Sequence, residues 1–275
     1  AGIPNFIRKA GPAELRSFYE RHYRPERSLL VVSGDVTEEE VKALAEQTYG
    51  KIPANPDVVM TRVRPADPPQ ITPRRMELKD PRAGNASFHR YYVAPSYVTA
   101  KPGEAEALDL LMKITGSGAT SRLYKKLVVE TKAASSASGD FGGYGLDGGT
   151  ISLYAVAADG VPLAKVEAIV DEVLADVAKN GVTEKELERA KNNYLAEYVY
   201  ESDNQATLAR RYGWGVTVGR TVAQIESWPS EISKVTLDDI KKVAAEYLDA
   251  RRSVTGYLMP DKSPVAQVGA KSAVR

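Results

Sequence analysis

The chain has 275 residues, of which 43% are hydrophobic, so it is long enough to bury more than one core. Its 37 basic and 36 acidic residues give a formal net charge of +1, which argues against nucleic acid or an anionic membrane as a partner. The absence of cysteine excludes disulfides, thiolate nucleophiles and cysteine-ligated zinc. No apolar run approaches the roughly 18 residues that cross a bilayer, and the first residues do not resemble a secretory signal. We therefore expect neither a membrane span nor a leader.

The first fifty residues predict two helices with a strand between them. Residues 12–23 have helical spacing of apolar positions, and residues 28–32 form an apolar run that predicts a buried strand. Thr37 and Glu40 have the spacing of a capping box, which predicts a second helix. The apolar face of the first helix is formed by Leu15, Phe18, Tyr19 and His22.

A proline-rich segment separates this part from the remainder. Prolines fix φ and remove backbone donors, so six of them between Lys51 and Arg74 indicate a linker. Beyond it, alternating residues predict strands around Met76 and Leu78, over 86–94, and then over 133–141 and 150–158. Helical spacing predicts helices over these ranges: 104–114, 121–131, 162–180, 184–198, 204–217, 221–228 and 236–249. The composition of elements indicates an α+β fold.

A weak internal repeat relates the two ends of the chain. Residues 13–30 can be laid over residues 238–255 at a constant offset, since 240 minus 15 and 253 minus 28 both give 225. In both places an amphipathic helix passes through a short basic turn into a strand. The repeat predicts that the domain ending near Met259 has an earlier sister, most of which lies outside this sequence.

Two segments carry a resemblance to the M16 zinc peptidases, the family of pitrilysin and the mitochondrial processing peptidase. The segment FYERHYRPERSLLVVSGDV resembles the end of the first domain of the family, and GSGATSRLYKKLVVE resembles a helix, glycine-rich turn and Ser-Arg-Leu-aromatic segment of its C-terminal domain. The resemblance implies an M16 metallopeptidase-like (LuxS/MPP-like) α+β fold, with an antiparallel sheet backed by helices in each of two homologous domains that close around an extended peptide.

The resemblance also implies how the chain is divided. Residues 1–52 would be the C-terminal remnant of the first domain and residues 53–73 the linker. Residues 74–262 would form one full second domain, the C-terminal domain that holds no zinc, and residues 263–275 a tail.

The zinc motif of the family is absent from this sequence. The family binds zinc through His-x-x-Glu-His on a helix, in which the glutamate deprotonates the metal-bound water. This chain has only His22 and His89, and neither sits in that pattern, so we interpret both as packed or surface histidines. We expect no metal or other cofactor in this chain, no catalytic residue, and zinc in the parent protein.

A second constellation of the family is an arginine followed seven positions later by a tyrosine, which resembles a clamp on the oxyanion and substrate backbone. Counting from Ser121-Arg122-Leu123-Tyr124 places those positions at Val128 and Ser135. A valine side chain cannot donate a hydrogen bond and serine has a shorter reach than a phenol, so we expect the clamp to be lost. Arg122 and Tyr124 are the candidates for substrate contact, with a first-turn arginine and a packed aromatic as the alternative interpretation.

These observations predict the non-catalytic C-terminal portion of an M16 zinc peptidase, which forms part of the peptide chamber and a closure or dimer surface. The implied partners are a peptide substrate and an M16 subunit that carries the Arg/Tyr pair, in a homodimer or heterodimer. Similar two-subunit bacterial enzymes suggest a Gram-negative periplasm, with the cytoplasm as the other possibility. Two alternatives remain open: an M16-like scaffold without chemistry, and a peptide-binding module.

Overall fold

A computed structural model describes residues 4–55, 68 and 70–261. The chain divides into two compact units, the first comprising Ala1–Pro68 with Tyr200–Thr217 and the second Pro69–Val199 with Val218–Arg275. Most of the predicted linker, residues 53–73, and the whole predicted tail, residues 263–275, lie outside the described residues.

The helices and strands follow one another along the chain as α1 (Pro4–Lys9), α2 (Pro12–His22), α3 (Glu38–Gln47), β1 (Arg74–Asp80), β2 (Ser87–Ala94), α4 (Glu104–Thr115), α5 (Arg122–Tyr124), β3 (Ala134–Gly142), β4 (Gly149–Ala157), α6 (Leu163–Asn180), α7 (Glu184–Ser202), α8 (Gln205–Thr217), α9 (Val222–Glu226), α10 (Trp228–Lys234), α11 (Leu237–Tyr247) and β5 (Ser253–Pro260). Short 3-10 turns lie at Pro25–Arg27, Tyr49–Lys51 and Ala250–Arg252, and a π-helical turn at Lys125–Glu130.

The helices of the first unit expose their apolar faces. The predicted capping box begins α3, because the Glu40 amide donates to Thr37 Oγ1 over 3.3 Å and the Thr37 amide donates to Glu40 Oε2 over 2.9 Å. On α2, however, Leu15 is 62% exposed and Phe18 56% exposed. Helices α1, α2 and α3 bury no residue at all. The amphipathic patterns of α2 and α3 therefore do not correspond to a buried core in the described part of the chain.

The strand that we predicted over residues 28–32 is not formed. Ser28 has an extended backbone, with φ −109° and ψ 145°, but no ladder joins residues 28–32 to another strand in the described part of the chain. An extended segment becomes a strand only when its amide and carbonyl groups find a partner strand. Within the same unit α8 lies close against this segment, since a Cβ on Gly213 would be 3.2 Å from Val31 Cγ2.

The internal repeat extends to the bounds of the elements. Helix α11 begins and ends 225 residues after α2, since 237 minus 12 and 247 minus 22 both give 225. The 3-10 turns that follow have the same offset, 250 minus 25 and 252 minus 27. After the second turn the chain enters β5, whereas after the first it enters the unpaired segment that starts at Ser28. The two copies differ in burial, since α2 buries no residue while α11 buries Ile240, Val243 and Ala244, and in whether a paired strand follows the turn.

The second unit contains a five-stranded sheet in the order β1-β5-β2-β4-β3. All neighbouring pairs are antiparallel except β1 and β5, which run parallel. The parallel pair departs from the antiparallel sheet that we expected. It arises because β5 inserts between β1 and β2: strands joined by a short connection run in opposite directions, so a strand antiparallel to β2 must be parallel to β1. The α+β fold class is confirmed.

Helices α4, α6 and α11 pack on one face of this sheet and on one another. Strand β2 shows the resulting alternation, because Phe88 and Tyr92 point into the core while Tyr91 and Val93 point to the opposite, solvent-exposed face. We call that opposite face the open sheet face. The largest fully buried side chains of the core are Tyr92, Phe88, Leu108, Leu110, Leu111, Met112, Ile114, Leu123, Leu127, Ile151, Leu153 and Ile232.

A buried group of charged residues joins α6 to the sheet. Glu167 on α6 accepts hydrogen bonds from Arg90 Nη2 at 2.5 Å, from Arg75 Nη2 at 2.6 Å, and from the hydroxyl of Tyr257. Arg90, which is 3% exposed, also pairs with Asp171. Burial alone would raise the pKa of Glu167, but the hydrogen bonds and the two guanidinium charges hold that pKa below its ordinary value. The carboxylate therefore stays charged inside the fold.

Candidate functional site

Arg122, a predicted substrate contact, lies at the start of α5 and is bound to carboxylates of this chain. Its Nε and Nη2 donate to Glu186 at 2.9 and 2.7 Å, and its Nη1 donates to Asp176 at 3.0 Å. The hydrogen bonds from Arg122 are the largest reason why the pKa of Glu186 is lowered to about 2. The guanidinium links α5 to α6 and α7, and a substrate would have to compete with this bidentate pairing.

Tyr124, the other predicted substrate contact, is half-buried two residues further on. Its backbone amide donates to Ser121 Oγ at 3.3 Å, which caps α5. The role of both residues toward a substrate stays a prediction.

We expect Arg122→Met to lower the free energy of unfolding by about 1 kcal/mol at pH 7, because a partly exposed ion pair is worth no more than that. The folded pKa of Glu186, about 2, lies below its usual value near 4.5, so the pairing stabilises the fold above pH 4.5 and that stabilisation is lost as the pH falls toward 2. Urea titrations at pH 7 and pH 3 should show the difference between variant and wild type shrinking in acid. Lys125→Met, which removes an exposed charge, is the control. Equal stability of Arg122→Met and wild type at pH 7 would contradict the pairing.

The two positions of the expected clamp lie on either side of an irregular turn. Val128 is in the π-helical turn Lys125–Glu130 and packs against the core, while Ser135 is exposed at a β-bulge between Ala134 and Ser136. The Ser135 hydroxyl donates to the Val156 carbonyl at a long 3.4 Å. Neither side chain presents a strong donor to solvent here. The sequence did not reveal the bulge, because it depends on how β3 pairs with β4, and it did not reveal the π-helical turn.

The two histidines, His22 and His89, lie in different units of the chain. His22 lies on α2 against the ring of Phe18, with 4.3 Å between ring centroids. His89 lies on β2, where Nε2 is 3.1 Å from Ser87 Oγ and the ring is 4.8 Å from that of Tyr154. Burial lowers the pKa of His89. Among the described residues no cluster of three His, Cys, Asp or Glu side chains could hold a metal ion, so the residues present do not fit zinc.

The open sheet face exposes several large apolar side chains on the strands of the second unit. Val93 is 68% exposed, Met76 62%, Tyr91 47% and Tyr154 39%. Strand alternation places these side chains on the face opposite to α4 and α6. Because monomers rarely leave a continuous apolar surface in water, such a face is a candidate for binding a polypeptide.

Charges on the open sheet face lie at its edges. Alternation places Arg74 and Asp80 on this face of the edge strand β1, and Asp140 on the opposite edge strand β3. Asp140 accepts a hydrogen bond from Ser152 Oγ at 2.9 Å, and Asp80 pairs with Arg82 at 2.7 Å. The middle of the face, on β2 and β4, is formed by aromatic, aliphatic and hydroxyl side chains.

The glycines between β3 and β4 serve a close-packed turn. A Cβ at Gly143 would lie 2.5 Å from the ring of Phe141, and one at Gly149 would lie 2.6 Å from the Pro95 carbonyl oxygen. The Tyr97 amide donates to the Gly143 carbonyl at 2.9 Å, which ties the hairpin to the segment after β2.

Across the part of the chain that the structure describes, no helix has the length and apolar character needed to cross a membrane.

Comparison with known proteins identifies the fold. The family model of the peptidase M16 inactive domain matches residues 9–194. The zinc protease PqqE of Helicobacter pylori is 25% identical over 257 residues, which are 90% of this chain and 54% of that protein. The beta subunit of the mitochondrial-processing peptidase of Lentinula edodes is 25% identical over 261 residues, which are 90% of this chain and 54% of that protein. The chain thus spans about half the length of the curated relatives that it matches.

Solved structures share the same fold. A protease from Helicobacter pylori superposes with a TM-score of 0.87 at 19% identity, covering 94% of this chain and 62% of that one. The first half of the periplasmic protease PqqL from Escherichia coli superposes with a TM-score of 0.72 at 18% identity, covering 92% of this chain and 55% of that one. An antiparallel sheet with one parallel edge, backed by helices on a single face, is therefore an M16-like peptidase domain. The chain belongs to the peptidase M16 inactive-domain family, as the two sequence segments predicted.

Proposed function

We propose that this chain is the non-catalytic C-terminal portion of a longer zinc peptidase, in which it supplies part of a peptide chamber and of the closure or dimer surface. The observation that carries the proposal is the repeat. The helix, turn and extended segment from Pro12 onward match α11, its turn and β5 at a constant offset, but among the described residues only β5 of the two segments has neighbouring strands. The missing neighbours of the first copy would come from an upstream half.

The surface of the first unit supports an upstream partner. A groove of about 600 Å³ is bordered by α2, α3 and the segment after Pro25. Apolar side chains form much of its wall, and α2 and α3 bury nothing of their own. Covering such surface stabilises a protein by roughly 25 cal/mol for each Å² removed from water. The upstream half would then complete a first domain whose tail is residues 1–52, joined through residues 53–73 to the second domain, residues 74–262.

We propose that the zinc site of the parent protein lies in that upstream half. Several relatives are named zinc proteases, and neither histidine of this chain belongs to a His-x-x-Glu-His pattern. Val128 and Ser135 cannot replace an arginine and a tyrosine as donors at long reach. The parent would therefore act with an M16 subunit that carries the Arg/Tyr pair, in a homodimer or heterodimer, and a periplasmic location would agree with the described location of the PqqL protease.

The open sheet face would form the part of the chamber wall that this chain contributes. Its exposed aromatic and aliphatic side chains suit an extended peptide, whose own side chains would replace water on Tyr91, Val93 and Tyr154. Arg122 and Tyr124 stay candidates for a further contact with the peptide.

Two measurements on the purified chain and its parent test this proposal. We expect the chain alone to hold no stoichiometric zinc by elemental analysis and to cleave no peptide, while the protein encoded with its upstream codons does both in a chelator-sensitive way. Zinc-dependent cleavage by the chain alone would refute the proposal. An upstream sequence without His-x-x-Glu-His would instead support the alternative of an M16-like scaffold without chemistry.

Peptide binding is tested by calorimetry on the parent protein with an unstructured peptide rich in apolar and aromatic residues. Val93→Asp places a charge in the middle of the open sheet face and should weaken binding at least tenfold, because a desolvated unpaired charge opposes contact. Val129→Asp, at a residue that is likewise more than half exposed but lies in the π-helical turn, is the matched control. Equal weakening by both variants would exclude the open sheet face as the wall.

A further inference from the structure

A partly buried group of polar side chains connects four segments of the second unit. The hydroxyl of Tyr97, in the segment after β2, donates to Asp109 Oδ2 on α4. Trp228 Nε1, at the start of α10, donates to the Tyr97 hydroxyl at 2.6 Å. The hydroxyl of Tyr194, on α7, donates to the backbone carbonyl of Asp109 at 3.3 Å. Each of these bonds crosses between elements, so together they hold α4, α7, α10 and the segment after β2 at one point.

A buried cation completes the group. Arg220 is 6% exposed, and its guanidinium carbon lies 4.4 Å from the ring centroid of Tyr97 and 5.7 Å from that of Tyr144. Its Nη2 donates to the Gln224 carbonyl at 2.8 Å. Tyr144 lies in the hairpin between β3 and β4, which Tyr97 also holds through the bond to Gly143. The β3–β4 hairpin is therefore attached to the same group of side chains, around Tyr97, that connects α4, α7 and α10.

The charge state of Asp109 is balanced between opposing effects. Burial is the largest effect and raises the pKa of Asp109, the charge of Glu106 also raises it, and the Tyr97 hydroxyl, Arg220 and Trp228 lower it, which leaves a pKa of about 7. Burial also raises the pKa of Tyr97 well above its ordinary value, so Tyr97 stays protonated and can only donate to an ionised Asp109. The titratable groups that surround Asp109 are Glu106 and Lys113 on α4, Tyr97, Asp140 on β3, Tyr144, Tyr194 and Glu197 on α7, Arg220, and Glu231 on α10.

We propose that Tyr97, Asp109 and Trp228 form a proton-operated clasp, which holds α10 and the β3–β4 hairpin to α4 while Asp109 is protonated and loosens as Asp109 ionises. The direction of the pH dependence follows from the linkage between proton binding at Asp109 and closure of the clasp. In an opened clasp Asp109 is hydrated and ionises near its ordinary value of 3.8, whereas in the closed clasp it keeps its proton up to about pH 7. The closed state is favoured most below pH 3.8, loses up to about tenfold in its equilibrium constant per pH unit above that, and changes little beyond pH 7.

The clasp has a direct reporter in Trp228. The chain contains two tryptophans, so a Trp214→Phe background leaves Trp228 as the single tryptophan emitter. We expect its fluorescence to change between pH 5 and 9 with a midpoint near 7. Asp109→Asn, which keeps the shape of the side chain and cannot ionise, should abolish the transition. Tyr97→Phe, which removes a donor to the ionised carboxylate, should move the midpoint to higher pH.

Control variants separate Asp109 from other groups that titrate near neutral pH. His22→Gln and His89→Gln remove the two histidines, and Asp140→Asn removes a neighbouring carboxylate, and none of them should move the midpoint by more than a few tenths of a pH unit. Hydrogen exchange of the amides in residues 143–149, corrected for the intrinsic pH dependence, should rise between about pH 4 and pH 7, level off above pH 7, and stay flat in Asp109→Asn. A transition that persists in Asp109→Asn, follows a histidine, or is absent from the wild type would overturn the clasp. The clasp does not depend on the proposed peptidase function.

Discussion

Replacing Glu167 by glutamine is expected to lower the free energy of unfolding by about 3 to 5 kcal/mol, the usual cost of breaking a buried ion pair from one side. Glutamine retains the shape of the side chain but leaves Arg90, which is 3% exposed, without one of its two carboxylate partners. It also forces an amide to replace a carboxylate that accepts from Arg75 and Tyr257. Urea unfolding monitored by circular dichroism at pH 7 measures the loss.

The control for this prediction is on the same helix. Glu172→Gln removes an exposed carboxylate of α6 that lies 4.0 Å from Lys126, and should change stability by less than about 0.5 kcal/mol. A double variant that replaces both Glu167 and Arg90 by apolar residues should recover part of the loss, because no buried charge is then left alone. A loss below about 1 kcal/mol in Glu167→Gln would mean that the buried network does not hold α6 to the sheet.

Replacing Gly116 by alanine is expected to cost about 3 kcal/mol, at the upper end of what overpacking costs. A Cβ at Gly116 would lie 2.5 Å from Gly139 Cα and 2.6 Å from its carbonyl oxygen, and backbone atoms of the edge strand β3 cannot rotate away. The same approach allows the Gly139 amide to donate to the Gly116 carbonyl at 3.0 Å. Thermal unfolding by calorimetry measures the effect.

Gly118 offers a matched control two residues later in the same turn. It has a φ of +76°, and no atom lies within 4 Å of where its Cβ would be. Gly118→Ala therefore tests backbone strain without steric contact, and should cost about 1 kcal/mol. If Gly118→Ala were the more destabilising of the two, the close approach of the turn to β3 would be wrong.

Local signals in the sequence predicted most elements of the second unit. The capping boxes at Thr37 and Thr183 begin helices where their spacing indicated, and Gly181, with a φ of 76°, ends α6. The alternation over residues 86–94 became β2, because a strand with one buried face needs that period. Two predictions fell short: among the described residues no strand pairs with residues 28–32, and residues 125–130 form a π-helical turn rather than a regular α-helix.

The candidate site was less predictable than the fold. The two clamp positions could be located by counting along the sequence from Arg122. The carboxylates that bind Arg122 could not be located in that way, because they are 54 and 64 residues away in the chain. Nothing in the local sequence around Asp109 marks it, since an aspartate on a helix is ordinarily exposed. Its burial depends on Tyr97 and Trp228, the latter far along the chain.

The sequence by itself determined most of the helices and strand periods, the repeat and the family, because capping, periodicity and motif spacing act over a few residues. Only the tertiary structure decided that β5 lies between β1 and β2, that Glu167 binds two arginines, and that Asp109 keeps its proton to about pH 7. The physical reason is that burial and charge pairing depend on which distant segments meet, and the dielectric and the partners of a side chain are set by those segments rather than by its neighbours in sequence.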